Sequence, residues 1–271
     1  MATQATTLAP TVPAGAALRR FGLLVQTTAL IYLRNRSSLF WIIVFPIGLM
    51  LLFGAIWGNA PIDPSDPQSI TILNIMVPGL IILSLSSNGL IGNASTLAVY
   101  RERGILRRIQ TTPLPVWQLL LARVITQSAI LVGQAGLLVG TSMLAFGARY
   151  DALGLVGAIP MVILGAVLFM AMGQAIAALV QKSDTVQLVG QAINLPLMFL
   201  GGLTIPLEVL PPGLRAFGQY LPSALLADLV RAPMLAGLHV APHVPLEFAF
   251  LGVLLYFAAS VGIAARFFKW S

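Results

Sequence analysis

The chain has 271 residues, of which 58% are hydrophobic and 8% charged, and its formal net charge is +7. A soluble domain carries about a quarter charged residues, so a water-exposed globule is excluded, and a mean hydropathy of +0.93 points to a bilayer. The chain contains no cysteine, which excludes a disulfide framework and thiolate chemistry.

In chain order, residues 1–17 are small and polar, with Pro10 and Pro13. No basic start leads into an apolar run, so the segment does not read as a cleaved signal peptide. It is expected to be a disordered cytoplasmic tail. Residues 18–36 follow with Phe21, Leu24, Val25, Thr28 and Ile31 on one helical face. Arg20, Thr27 and Arg34 recur on another, the pattern of an amphipathic helix lying in the membrane interface.

A helix needs about 20 apolar residues to cross a bilayer. Six stretches meet that expectation, at about 39–58, 74–98, 117–146, 156–180, 185–205 and 246–265. The fold class is therefore an all-α membrane protein with six transmembrane helices. Between the fifth and sixth stretches, residues 206–245 are too apolar for a free loop. Pro206, Pro211, Pro212, Pro222 and Pro233 break them too often for a full span. Irregular backbone at membrane depth survives only against protein or a watery cavity. Short re-entrant or surface-lying half-helices on the outer side are expected there, bearing Glu208, Asp228 and Arg231. The i,i+3 spacing of Asp228 and Arg231 lets their side chains meet.

Charge sets the orientation. Of fifteen Lys and Arg residues, twelve fall in four short segments. These hold Arg19, Arg20, Arg34 and Arg36; Arg101, Arg103, Arg107, Arg108 and Arg123; Lys182; and Arg266 with Lys269. With six spans, all four land on one side, and positive loops stay cytoplasmic. Both termini are then cytoplasmic, in the plasma (inner) membrane. Trp41, Trp57, Trp117 and Trp270 fall near span ends, where the headgroup layer suits an indole. Because the positive charge follows the orientation rule, it carries no case for nucleic acid.

Catalytic equipment is sparse. His239 and His243 are four apart, as zinc ligands on a helix can be. Pro242 lies between them, and no acidic or thiol ligand is near in sequence, so no metal site is expected. No G-x-x-x-x-G-K-[ST] loop occurs, so any ATP must be hydrolysed by another chain. Neutral polar residues form stripes instead: Ser84, Asn88 and Ser95, beside Ser87; Gln127, Gln134 and Thr141; and Gln187, Gln191 and Asn194. Amides are costly against lipid, so these faces point into protein or an aqueous path. Hydrogen bonding between helices is the commoner use. The pairs Gly54/Gly58 and Gly136/Gly140 match the G-x-x-x-G spacing for close packing.

The loop 100–116 reads YRERGILRRIQTTPLPV. Its charged cluster, Gly104 and a short helical segment form a compact element able to carry force from a soluble partner into two spans. Anchoring to anionic lipid headgroups is the plainer reading of the same arginines.

Four segments, in order along almost the whole chain, carry a family resemblance. They are RNRSSLFWIIVFPIGLMLLFG, YRERGILRRIQTTPLPVWQLLLAR, GGLTIPLEVLPPGLRAFGQYLP and ALLADLVRAPMLAG. The chain resembles the type-2 permeases of ATP-binding-cassette exporters, especially the daunorubicin-resistance-like branch. The resemblance implies a transport subunit with no enzymatic activity or cofactor of its own. ATP and magnesium would be bound by a partner ATPase. It also implies a second permease, as a homodimer or heterodimer, and a small hydrophobic substrate such as a drug-like molecule or a lipid. Under it, Arg101, Glu102, Arg103, Gly104, Arg107 and Arg108 couple to the ATPase. The translocation path runs past Ser84, Asn88, Gln187, Gln191 and Asn194. An ATP-independent carrier or channel, and a lipid-modifying membrane enzyme, are the alternatives.

Overall fold

The computed structural model describes residues 14–57, 71–105, 108, 116–204, 207, 210–236 and 241–267. In hydrocarbon a lone strand leaves its backbone polar groups unpaired, whereas a helix satisfies its own. The regular elements among the described residues are accordingly helices. Helix α1 spans Ala14–Arg34, starting before the expected position 18. Helix α2 is built of Arg36–Leu39, a π-helical stretch Phe40–Val44, and Phe45–Trp57. Helix α3 runs Ile72–Glu102 and also contains a π-helical stretch, Asn88–Asn93. Helices α4 (Val116–Phe146), α5 (Ala152–Leu179) and α6 (Ser183–Leu200) follow. Two short helices, α7 (Pro212–Gly218) and α8 (Pro222–Met234), precede α9 (Leu246–Phe267).

Five of these helices are long and apolar enough to cross a membrane: α2, α3, α4, α5 and α9. The segment expected as a fifth span, 185–205, is α6, which is not among them. It has 18 residues, with Asp184 in its first turn. The expected broken region before the last span is helical at α7 and α8, both too short to cross.

Helix α3 is the most deeply buried candidate span. It packs against α2, α4, α5, α6 and α8. Leu80, Ile82 and Leu85 are inaccessible or nearly so, and they join Leu138 of α4, Phe169 of α5 and Leu226 of α8 in one core. Helix α5 carries the opposite wall, meeting α4, α8 and α9 as well. The outward faces stay apolar: Trp41, Val156, Phe248 and Leu255 are exposed, as a lipid-facing surface requires. Helix α1 lies on α4, with Phe21, Leu24, Val25 and Thr28 half-buried, while Leu23 and Ile31 are exposed.

The closest helix crossings use glycine. A Cβ at Gly173 of α5 would overlap the Gly89 carbonyl oxygen, and one at Gly190 of α6 would overlap that of Leu90. Both carbonyls belong to the π-helical stretch of α3. Within that stretch the i→i−4 ladder is interrupted, and the Asn88 amide donates to Ser84 O at 2.9 Å. Of the spacings read as packing motifs, Gly54 abuts the Phe146 ring, but nothing lies within 4 Å of a Cβ at Gly136 or Gly140. Gly58 lies outside the described residues. The sequence marks small residues; which of them face a neighbour is settled by helix rotation.

Candidate coupling and translocation site

At 1.5 Å per residue, α3 is about 46 Å long, against a hydrocarbon core of about 30 Å. It is therefore longer than one crossing needs, and its last turn carries Tyr100, Arg101 and Glu102. Arg101 reaches across to the end of α5. Its Nη1 donates to Ala177 O at 2.8 Å, and its Nη2 donates to Val180 O and Gln181 O, each at 2.7 Å. The last carbonyls of a helix have no intrahelical partner, and the dipole makes that end negative, so a cation caps it well. Glu102 does the converse at the start of α6. The Ser183 backbone N–H donates to Oε1 at 2.6 Å and the Ser183 hydroxyl to Oε2 at 2.9 Å. Lys182, which occupies the N-cap position of α6, supplies no side-chain cap of its own. A carboxylate from a distant helix takes its place.

Beyond this pair the chain turns. Arg103 ends the helix and is exposed. Gly104 follows at φ 65°, in the left-handed region that glycine enters without steric cost. Its N–H donates to Arg101 O, and its carbonyl accepts from Arg108 N at 3.2 Å. Arg108 is exposed. Arg107 and residues 109–115 lie outside the described residues. Arg123, which the sequence groups with these arginines, is buried instead, its guanidinium 5.2 Å from the centre of the Tyr100 ring.

The five residues expected along a path divide into three groups. Ser84 and Asn194 are buried within this one chain. Gln134 Nε2 donates to Ser84 Oγ at 2.7 Å, tying α4 to α3, and Asn194 Nδ2 donates to Ser87 Oγ at 3.0 Å, tying α6 to α3. Asn88 is half-buried and bonded within its own helix. Gln187 and Gln191, by contrast, are exposed on the open face of α6, beside Leu188 and Leu195. The buried amides join helices, and the exposed ones face whatever covers α6.

At the opposite end, Asp228 and Arg231 are both buried on α8 but serve separate partners. Asp228 Oδ2 accepts from the backbone N–H of His243 at 2.9 Å and of Val244 at 3.3 Å. Its Oδ1 lies 2.8 Å from His243 Nδ1. Arg231 Nη2 donates to Gly202 O at 3.1 Å. Together with Ser223 Oγ donating to Leu197 O, these bonds make α8 a keystone between the end of α6 and the start of α9. Glu208 and His239 lie outside the described residues. Sequence reasoning weighed His243 only as a metal ligand; a histidine fifteen residues from its carboxylate carries no local signal of the pairing.

A bundle of long apolar helices with a polar seam between three of them is the architecture of a multi-pass membrane protein. Residues 19–235 match the family model of the ABC-2 type transporter. The chain belongs to that family and is a transport permease, whose membership implies a partner ATP-binding subunit. It is also similar to "Putative transport permease YvfS" of Bacillus subtilis (strain 168), 27% identical over 196 residues, covering 70% of this chain and 76% of the relative.

Proposed function

We propose that the chain is the membrane subunit of an exporter that moves a small hydrophobic compound, drug-like or lipid, out of the cytoplasm. ATP hydrolysis by a separate ATP-binding subunit drives it. The observation that carries this reading is the pair of exposed arginines, Arg103 and Arg108, on either side of the Gly104 turn that follows the long helix α3. A docked partner pressing on that turn presses directly on the most buried helix of the bundle.

In this reading α6 is a sixth crossing, about 27 Å long at 1.5 Å per residue. It is short for a lipid-exposed span and suited to one that faces protein. Its open face, with Gln187 and Gln191, lies against a second permease, identical or homologous, and the substrate passes along it. Both termini are cytoplasmic, and α7 and α8 form the outer half-helices. Arg101 and Glu102 contribute to coupling from within the chain.

The test is co-purification. The double variant Arg103→Glu, Arg108→Glu is expected to insert normally and to lose the ATP-binding subunit. Full retention of that subunit would refute docking at this turn. Substrate movement into vesicles holding this chain alone would favour an ATP-independent carrier instead.

A further inference from the structure

Arg101 and Glu102 are adjacent in the chain, yet between them they make five hydrogen bonds to residues 76 to 81 positions away. All five close around one short connection, from Ala177 in the last turn of α5 to Ser183 at the start of α6. The signs are matched twice over, with a cation on a helix C-terminus and an anion on a helix N-terminus. Each bond has one ionised partner, the stronger kind of hydrogen bond. Lys182 supplies no side-chain cap of its own, and Gln181 and Lys182 are exposed.

Farther along, α6 meets α3 mainly by packing, with Val186 and Leu197 buried. Gly190 lies against the Leu90 carbonyl with no side chain between them, and Asn194 makes one bond to Ser87. Among the described residues, the Glu102–Ser183 contact carries two of the three side-chain hydrogen bonds between α3 and α6, and it sits at the start of α6.

We propose that the Arg101–Glu102 pair is a positioning element that carries movement of the turn after α3 into α6. Arg101 locks the α5–α6 connection to the end of α3, and Glu102 draws the first turn of α6 along with it. The helix so moved bears Gln187 and Gln191 on its open face. This rests on the reading of the turn as the docking site, and assigns Arg101 and Glu102, in the last turn of α3, a different task from Arg103 and Arg108. Those two meet the partner, and Arg101 and Glu102 pass the displacement on.

The decisive variant lies outside the turn. Ser183→Pro removes both donors to Glu102, yet proline suits the first position of a helix. The preceding Lys182, at φ −86° and ψ 133°, already has the extended backbone that proline demands of its neighbour. In the full complex, Ser183→Pro is expected to keep the ATP-binding subunit and its ATP hydrolysis. Transport per ATP hydrolysed should fall about fivefold or more, the low end of coupling between linked sites. Glu102→Ala should behave alike, and Glu102→Gln, which keeps one acceptor oxygen, should lose less. Should Ser183→Pro fail to insert, the graded pair Glu102→Gln and Glu102→Ala makes the same comparison. An unchanged ratio of transport to hydrolysis in Ser183→Pro and Glu102→Ala would overturn the proposal. So would a loss of both activities in proportion to inserted protein, the mark of a merely structural contact. Failure of the docking reading shows separately, as retention of the ATP-binding subunit by the Arg103→Glu, Arg108→Glu variant.

Discussion

Gly173 of α5 lies directly against the backbone carbonyl of Gly89 in α3, with no space for a β-carbon between them. The contact falls at the π-helical stretch of α3, where Gly190 of α6 closes on the adjacent Leu90 carbonyl from another side. Three helices thus meet backbone to backbone at one level of the bundle. Interrupted helices are tolerated inside a membrane when neighbours approach closely enough to cover the freed backbone.

Gly173→Ala should therefore destabilise the protein by about 1–3 kcal/mol, as overpacking does in a filled core. The obstacle is backbone, which cannot rotate aside. Gly136→Ala, where a Cβ meets nothing within 4 Å, should be neutral or stabilise by up to about 1 kcal/mol. Thermal unfolding of the two variants in detergent checks the contrast. Equal midpoints would contradict the packing described.

The Gln134–Ser84 bond should behave as glue between α4 and α3. A double-mutant cycle of Gln134→Leu and Ser84→Ala is expected to give a coupling energy of about 0.6–1.7 kcal/mol, the range for such bonds in membrane proteins. Additive effects would mean the two side chains do not meet.

Gln187→Leu with Gln191→Leu should leave the stability of the isolated chain nearly unchanged, because neither side chain is buried in it. Transport should change, with the rate or the substrate preference altered. A variant that unfolds like Ser84→Ala, with transport intact, would place these amides among the packing residues instead.

Asp228→Ala should loosen the approach to α9. It strips the acceptor from the backbone N–H groups of His243 and Val244, and each buried group left unmade costs about 1–3 kcal/mol. Asp228→Asn retains one carbonyl oxygen and should cost less. Limited proteolysis near residues 241–245 reports the loosening, and an unchanged cleavage pattern in Asp228→Ala would count against it.

Tyr150, in the connection between α4 and α5, has its phenol pushed up to about 12, first by burial and in spite of the Ser142 hydroxyl that lowers it. The folded value lies above the unfolded value of about 10. The stabilisation is thus complete below pH 10 and is lost as pH climbs from about 10 toward 12. Unfolding midpoints should fall over that window in the wild type and fall less in Tyr150→Phe. Parallel curves for the two proteins would show that another group governs alkaline unfolding.

The legible part of this protein was what a bilayer demands of any chain. Length and apolarity marked 39–58, 74–98, 117–146, 156–180 and 246–265, and each lies largely within a helix of membrane-crossing length. Those signals are local, because each span must satisfy its own backbone. Helix α6 is the exception, since its amides and Asp184 dilute the apolar signal. The polar stripes were visible too, but not their division: Asn194 and Gln191 are three residues apart on one helix, and one is buried while the other is exposed.

By itself the sequence determined that the chain is a helical membrane protein, with charge gathered in a few segments and the ATP-binding motif missing. Those are properties of composition and of short-range pattern. Only the tertiary structure decided what the charges touch. Arg101 reads as one more basic residue in a cluster, and becomes a helix cap because the end of α5 arrives beside it from 76 residues away. Asp228 finds His243 rather than Arg231 in the same manner. The reason is physical: a hydrogen bond depends on distances of about 3 Å and on direction, and these are set by how helices cross and rotate, which no spacing along one helix records.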